Sequence, residues 1–204
     1  MRELELTAIR SQMNPHFLFN SLNSVQNLVQ QNKGREAHLY LSDFAGLIRK
    51  VLQNSEKEEV SLAEELEMVQ QYLNLEKLRF NFDYSITVDD KIEKYSTVVP
   101  SNILQPVVEN AVVHGLNHKS EDRMVKIKVQ PDSHGLKIIV EDNGIGRNAA
   151  AERSKTKNGK GLKLVEERLQ VLQQKQGEKY NIEIIDLQED TSGTRVEILI
   201  PDDN

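Results

Sequence analysis

The segment Asp142–Gly146, with the sequence Asp-Asn-Gly-Ile-Gly, directly follows a predicted strand, and Gly159–Leu162, Gly-Lys-Gly-Leu, opens a predicted helix. Glycines let backbone amides approach a phosphate closely, and a helix N-terminus favours anions. The stretch Arg147–Asn158 between them carries four basic residues and is interpreted as a lid over phosphates. Each glycine segment alone is equally compatible with an ordinary turn. The chain has no Gly-Lys-Ser/Thr loop, which excludes a P-loop.

The composition is that of a globular protein of one or two domains: 204 residues, 38% hydrophobic and 28% charged. The net charge of -6 argues against a nucleic-acid partner. There is no cysteine, which excludes disulfides and thiolate metal sites and is compatible with a reducing cytosol. No apolar run reaches the roughly 20 residues of a membrane helix.

The first 80 residues are predicted to be helical. A first helix over about 3–32 is interrupted at Pro15, where a kink or a change of phase is expected. A second helix is predicted over about 36–54, and a third begins at Ser61, where a capping box with Glu64 is expected. The expected apolar stripes are Leu18, Leu22, Val25 and Val29 on the first helix, and Ala37, Leu41, Phe44, Ile48 and Val51 on the second. Two such helices cannot bury both stripes alone, and a dimeric four-helix bundle would solve this.

The remainder alternates strands and helices. Helices are predicted near 101–115 and 161–176. Segments with a period of two residues predict strands at Asp83–Val88, Met124–Val129, Leu136–Asp142, Asn181–Leu187 and Thr194–Ile200. This order indicates an α/β sandwich with a mixed sheet, and the whole chain is therefore of the α+β class.

The apolar helix near 101–115 carries the polar pair Glu109-Asn110. Magnesium takes oxygen ligands and keeps several waters, so Asn110 together with ATP phosphates would suffice to hold it. Glu109 is a candidate base or a holder of a metal-bound water. An exposed helix edge would also explain a single polar pair. His114 and His118 have the spacing of metal ligands, but no third ligand is apparent and a metal site there is not favoured.

These motifs in this order resemble the ATP-binding fold that gyrase, mismatch-repair ATPases, a heat-shock chaperone and histidine kinases share, the GHKL or Bergerat type. The segment Gln12–Asn23, which contains Asn-Pro-His-Phe-Leu-Phe-Asn, resembles the phosphoacceptor signature of the LytS-like sensor histidine kinases, and Tyr72–Phe80 is similar to that group too. The resemblance covers nearly the whole chain. It implies dimerisation and phosphotransfer helices over residues 1–58 and a catalytic ATP-binding domain over residues 59–204.

The resemblance also implies roles for individual residues. His16 would accept the γ-phosphoryl group of ATP, with Glu109 and Asn20 as further catalytic candidates and Asn110 as the Mg²⁺ ligand. Asp142 would read adenine. The other residues expected to contact the nucleotide are His114, Asn143, Gly144, Gly146, Gly159, Lys160, Gly161, Leu162 and Thr194.

The resemblance further implies a homodimer that passes phosphate to the receiver domain of a response regulator. The chain would be the cytoplasmic portion of a plasma-membrane sensor whose sensor segment is absent from these residues. Two positions depart from the pattern of many histidine kinases. Phe17 stands where an acidic residue often follows the histidine, and Pro106 stands where a second asparagine often lies.

Helical geometry predicts that His16 is accessible. At 100° per residue, His16 lies about 160° from Leu18 and heads a polar stripe opposite the apolar one. The members of that stripe are Asn20, Asn23 and Asn27. Two other hypotheses are an ATPase of the same fold that uses nucleotide only to switch conformation, and a non-catalytic dimerisation module with a degenerate nucleotide site.

Overall fold

The computed structural model describes residues 15–55, 57–116, 119, 121–146, 160–177, 179–187 and 192–202, and for Pro15, His16, Lys160 and Gln176 it describes the backbone alone. The expectations for residues 3–14, for the lid over 147–158 and for Gly159 lie outside this range. Among the described residues, no helix combines the length and apolarity needed to cross a bilayer.

Two helices form an N-terminal hairpin. Helix α1 spans Pro15–Gln30 and α2 spans Gly34–Ser55, and Asn32 at φ 58° turns the chain between them. Asparagine tolerates this left-handed conformation better than most residues do. The expected apolar stripe of α1 is only partly covered: Leu22 is 51% exposed and Val29 is 57% exposed.

The buried face of α2 differs from the expected one. Leu41, predicted to be buried, is 45% exposed, while Tyr40 and Leu47 are almost completely buried. Ala37 and Val51 are buried as expected, and Phe44 and Ile48 are partly buried. The prediction considered only the bundle partner, whereas α2 also packs against the third helix, so its covered face is turned towards that helix.

The third helix, α3, spans Leu62–Phe80 and follows β1, Glu59–Ser61. The predicted capping box is confirmed. The Glu64 N–H donates to Ser61 Oγ at 3.2 Å, and the Ser61 N–H donates to Glu64 Oε2 at 2.9 Å. Asn81, in the left-handed conformation, ends the helix. This helix buries side chains along most of its length and packs against α2.

Five of the strands form one mixed sheet, as predicted. They are β2, Asp83–Val88; β4, Met124–Asp132; β5, Gly135–Asp142; β6, Asn181–Leu187; and β7, Gly193–Pro201. The spatial order is β2-β4-β5-β7-β6, in which β2 and β4 are parallel and the other neighbours are antiparallel. A short strand β3, Val98–Pro100, which the sequence did not predict, pairs with β1 in a separate two-stranded sheet.

The sheet has one buried and one solvated face. Inward-facing residues on the central strands, such as Ile127, Ile138 and Ile198, are almost completely buried. The opposite face carries ion pairs between neighbouring strands, including Arg195 Nη2 to Glu141 Oε2 at 2.8 Å. This alternation is that of an antiparallel sheet covered by helices on one side, and the α/β sandwich is confirmed.

The helix predicted near 101–115 is shorter and changes its winding. Helix α4 spans Gln105–Asn110 and continues as a π-helical turn over Ala111–Gly115. Residues 101–104 form a turn, because the buried carboxylate of Glu65 on α3 accepts the N–H groups of Asn102 at 3.0 Å and Leu104 at 2.8 Å. Such π turns are frequent at functional sites. The last helix, α5, spans Lys160–Gln176 and packs against α4.

Candidate nucleotide and phosphoacceptor site

A buried carboxylate stands at the end of a central strand. Asp142 is the last residue of β5, lies opposite Thr194 of β7, and is 3% exposed. Its Oδ1 accepts the N–H of Gly144 at 2.9 Å. Burial raises the pKa of the Asp142 carboxyl to about 6, although the backbone amides of Gly144 and Thr194 act in the opposite direction. Near neutral pH this group is an ionised acceptor with little solvent, suited to an exocyclic amine such as that of adenine.

Three glycines surround Asp142 without room for a side chain. A Cβ on Gly115 would lie 2.6 Å from the Asp142 carboxyl carbon, and one on Gly144 would lie 2.6 Å from the Gly115 Cα. A Cβ on Gly193 would lie 3.0 Å from the Asp142 carbonyl carbon. The π turn after α4, the Asp142–Gly146 loop and the start of β7 therefore meet backbone to backbone. Such a cradle leaves amides near the carboxylate, and its residue types fit the adenine end of a nucleotide.

Asn143 and Gly146 have different places in this loop. The Asn143 side chain accepts the N–H of Met124 at 2.8 Å and donates to the Asp122 carbonyl at 2.6 Å. It therefore ties the loop to the segment before β4. Gly146 adopts φ 76°, a left-handed conformation that favours glycine. Thr194 is 5% exposed and is the cross-strand partner of Asp142 in the pair of β5 and β7.

The polar pair of α4 lies one turn from this cradle. Glu109 and Asn110 end α4, and the helix continues through the half-buried His114 to Gly115. Within the described ranges, no group of three His, Cys, Asp or Glu side chains could hold a metal. Asn110 as a ligand of Mg²⁺, an ion that prefers oxygen ligands and keeps several waters, stays a prediction.

The start of α5 lies beside α4. A Cβ on Gly161 would lie 3.5 Å from the Pro106 carbonyl oxygen, an ordinary contact distance. Leu162 is 7% exposed and belongs to the hydrophobic core. Lys160 begins the helix, its side chain being outside the described atoms. Pro106 stands in the first turn of α4, where its missing N–H has no helical partner in any case.

Residues of α1, α3 and α4 line a small cleft. His16 is the second residue of α1, and its side chain is not among the described atoms. Phe17 is 4% exposed, with its ring centroid 5.2 Å from that of Tyr72 and 5.9 Å from that of Phe44. Asn20, one turn after His16, lines the cleft together with Glu109. The structure thus brings Asn20 and Glu109 to one place, and Phe17 packs in the core.

The sequence prediction did not select several residues that hold these parts. Gly115 and Gly193 make the close contacts around Asp142, and Glu65 holds the turn before α4. Tyr72 and Glu76 line the cleft. Gly115 and Gly193 each lie next to a residue that the sequence prediction selected, and this proximity could have identified them. In the sequence, the acidic residues of α3 are indistinguishable from exposed surface charges. Only their burial in the structure sets Glu65 and Glu76 apart.

Comparisons with known proteins agree with this geometry. The family model described as "Histidine kinase" matches residues 4–84, and the model described as "Histidine kinase-, DNA gyrase B-, and HSP90-like ATPase" matches residues 100–204. The sensor protein LytS of Streptococcus mutans is 39% identical over 148 residues, which are 70% of this chain and 24% of that protein. The sensor histidine kinase YesM of Bacillus subtilis is 30% identical over 201 residues, 98% of this chain and 34% of that protein. The chain thus spans between a quarter and about a third of the length of these relatives.

Solved structures show the same fold. The histidine kinase domain of a blue-light-activated histidine kinase from Erythrobacter litoralis matches with a TM-score of 0.52 at 15% identity, over 97% of this chain and 94% of that one. The histidine kinase AdeS of Acinetobacter baumannii matches with a TM-score of 0.50 at 16% identity, over 93% and 98% of the two chains. With both family models matching in sequence and the ATPase fold present in three dimensions, the chain belongs to the histidine kinases and carries the ATPase domain that they share with DNA gyrase B and HSP90.

Proposed function

We propose that this chain is the kinase core of a two-component sensor, which transfers the γ-phosphoryl group of ATP to His16 and then to an aspartate of a response regulator. The observation that carries the proposal is the cleft in which Asn20 of the acceptor helix and Glu109 of α4 meet, since α4 leads directly into the cradle around Asp142. Helix α4 thus links the proposed nucleotide site around Asp142 to the proposed acceptor helix α1.

Each residue has a task set by its chemistry. Asp142 accepts a hydrogen bond from the adenine amine, and Gly144, Gly146 and Gly161 let the backbone approach the nucleotide. ATP would supply the phosphoryl group when bound, and Asn110 would hold the accompanying Mg²⁺. An unprotonated ring nitrogen of His16 would bond to the γ-phosphorus as the bond from that phosphorus to the β–γ bridging oxygen breaks and ADP leaves. The other ring nitrogen keeps its proton and needs a fixed partner.

Asn20 is the proposed partner of the His16 ring. It lies one helical turn further along α1, within reach of a side chain at His16. Either it orients the imidazole or it positions the water that dephosphorylates phosphorylated His16. An Asn20→Ala variant should change the autophosphorylation or the dephosphorylation rate, and one in which both rates equal those of the wild type would remove this role.

Dimerisation is part of the proposal. The exposed apolar side chains of Leu22 and Val29 lie on the predicted stripe of α1, and the hairpin of one chain leaves them uncovered. A second hairpin would bury them in a four-helix bundle. The division at residue 58, the receiver-domain partner and a place on the cytoplasmic side of a membrane sensor belong to the same proposal and rest on the family.

Nucleotide binding and transfer can be separated by three variants. The full chain is incubated with γ-labelled ATP and Mg²⁺, and ATP affinity is measured by calorimetry in parallel. Asp142→Asn should lose most of the binding. His16→Gln should bind ATP as the wild type does but remain unlabelled. Asn110→Ala should lose labelling, with a smaller loss of binding. A wild-type chain that binds and hydrolyses ATP without becoming labelled would contradict the proposal and favour an ATPase that acts as a conformational switch.

A further inference from the structure

Helix α3 contributes a buried polar cluster to the cleft between α1 and α4. Tyr72, Glu76 and Arg79 stand one turn apart along α3 and line the cleft that Asn20 and Glu109 also line. Tyr72 is 1% exposed and Glu76 is 0% exposed. None of these three residues belongs to the motifs to which a nucleotide or phosphoacceptor role was given above.

Two oxygens of this cluster are buried without a hydrogen-bond partner among the described residues: Tyr72 Oη and Glu76 Oε2. The other Glu76 oxygen, Oε1, is held by Arg79 Nη1, whose guanidinium stands 4.6 Å over the Phe80 ring. Buried polar groups are almost always satisfied in native proteins, and leaving one unsatisfied lowers stability. A phenylalanine and an uncharged side chain would fill the same space, so packing alone does not account for these two groups.

Burial and neighbouring charges shift the pKa values of Tyr72 and Glu76. Burial, followed by the negative charges of Glu76 and Glu109, raises the pKa of the Tyr72 hydroxyl well above its usual range, against the charge of Arg79 and with a small contribution from Tyr40. Tyr72 therefore stays a hydrogen-bond donor, close to two carboxylates. Burial also raises the pKa of Glu76, which the Arg79 guanidinium lowers. The ring below the hydroxyl is fixed by its contact with Phe17, the neighbour of His16.

We propose that Tyr72 and Glu76 are positioning residues for phosphoryl transfer, which hold Glu109 and the His16 end of α1 in register across the cleft. The proposal rests on the proposed kinase function. Tyr72 couples the two sides, since its ring packs on Phe17 and its side chain lines the same cleft as Glu109. Glu76, anchored by Arg79, lines the cleft one helical turn along α3 from Tyr72. The two buried oxygens, which lack a partner within the described ranges, lower stability, and their role is to support phosphoryl transfer. Such exceptions to the pairing of buried polar groups are expected at functional sites.

The test separates transfer from folding and from nucleotide binding. Tyr72→Phe keeps the ring that packs on Phe17 and removes only the unsatisfied hydroxyl. Its melting temperature should equal or exceed that of the wild type, and its KM for ATP should stay within about twofold. Its maximal rate of His16 labelling should fall at least about tenfold, which a merely structural residue would not produce at unchanged stability.

Matched controls come from the same region. Tyr84→Phe removes a hydroxyl that donates to Asn74 Oδ1 at 2.7 Å on the surface, and it should leave the labelling rate unchanged. Glu76→Gln should slow labelling at an unchanged KM, whereas Glu67→Gln, which removes an exposed ion pair to Lys50, should not.

A Tyr72→Phe variant that labels His16 within twofold of the wild-type rate overturns the inference while leaving the proposed kinase function intact. A parallel loss of labelling, ATP affinity and melting temperature also overturns it, since that is the signature of a structural role. A wild-type chain that is never labelled removes the proposed function and this inference together.

Discussion

Replacing Gly144 by alanine should create a steric clash with the backbone of Gly115 and destabilise the loop around Asp142. A Cβ there would lie 2.6 Å from the Gly115 Cα and would also overlap the carbonyl group of the same residue. Carbon atoms pack at about 3.5–4.0 Å, so the loop must move by about 1 Å. Backbone on both sides is held by strand pairing and by the π turn, which leaves no flexible side chain to absorb the shift.

The expected cost has two parts. Inserting a methyl group into a packed region costs about 1–3 kcal/mol. Moving the loop also breaks the bond from the Gly144 N–H to Asp142 Oδ1, now 2.9 Å, and leaving a buried acceptor short of a partner costs about 1–3 kcal/mol. Gly144→Ala should therefore lower the free energy of unfolding by about 2–6 kcal/mol. It should weaken ATP binding at least about tenfold, because the carboxylate proposed to contact adenine is displaced.

The assay is urea unfolding followed by circular dichroism, with calorimetric titration of ATP on the folded variant. Gly46→Ala is the matched control. It lies within α2 with no atom within 4 Å of the added Cβ, so the better helix propensity of alanine should raise stability by about 1 kcal/mol. A Gly144→Ala variant within about 0.5 kcal/mol of the wild type and with unchanged ATP affinity would refute the reasoning, since that is the range of neutral substitutions.

Three further predictions concern single side chains. Ser61→Ala removes the cap of α3 and should lower the free energy of unfolding by about 1 kcal/mol in urea titrations, and an unchanged midpoint would show that the capping box contributes nothing. Since the pKa of Asp142 is raised to about 6, ATP affinity should be constant above about pH 7 and should fall as the pH drops through about 6. The small residual affinity of Asp142→Asn should not vary over this range, and a flat wild-type profile would speak against ionised Asp142 as the acceptor. Burial raises the pKa of Glu65 from 4.5 to about 7, so its contribution to stability is fully present below about pH 4.5 and decreases by about 3 kcal/mol as the pH rises through 7. Urea unfolding between about pH 5 and about pH 8 should show this decrease in the wild type and not in Glu65→Gln, and identical pH profiles for the two would contradict it.

The sequence predicted those elements whose signal is local. The strands Asp83–Val88 and Asn181–Leu187 have the expected bounds, and the capping box at Ser61 is present. In each of these the hydrophobic period or a short polar motif decides the structure without help from distant residues.

Features that depend on contacts far along the chain were not predictable in this way. The start of α4 is set by Glu65, which lies about 40 residues before it. The covered face of α2 is set by packing on α3, which exposes Leu41 and buries Tyr40. Likewise, Asp142 was selected from its motif, whereas the close approach of Gly115 and Gly193 is visible only when three segments are brought together.

The central claim is that His16 is the phosphoacceptor, and the chemistry of the bound phosphate tests it most directly. The full chain, incubated with γ-labelled ATP and Mg²⁺, is divided between acid and alkali before the retained label is counted. A phosphohistidine is lost in acid and survives alkali, so the account predicts acid-labile, base-stable label that is absent from His16→Gln. Label that withstands acid, or that persists in His16→Gln, would contradict it.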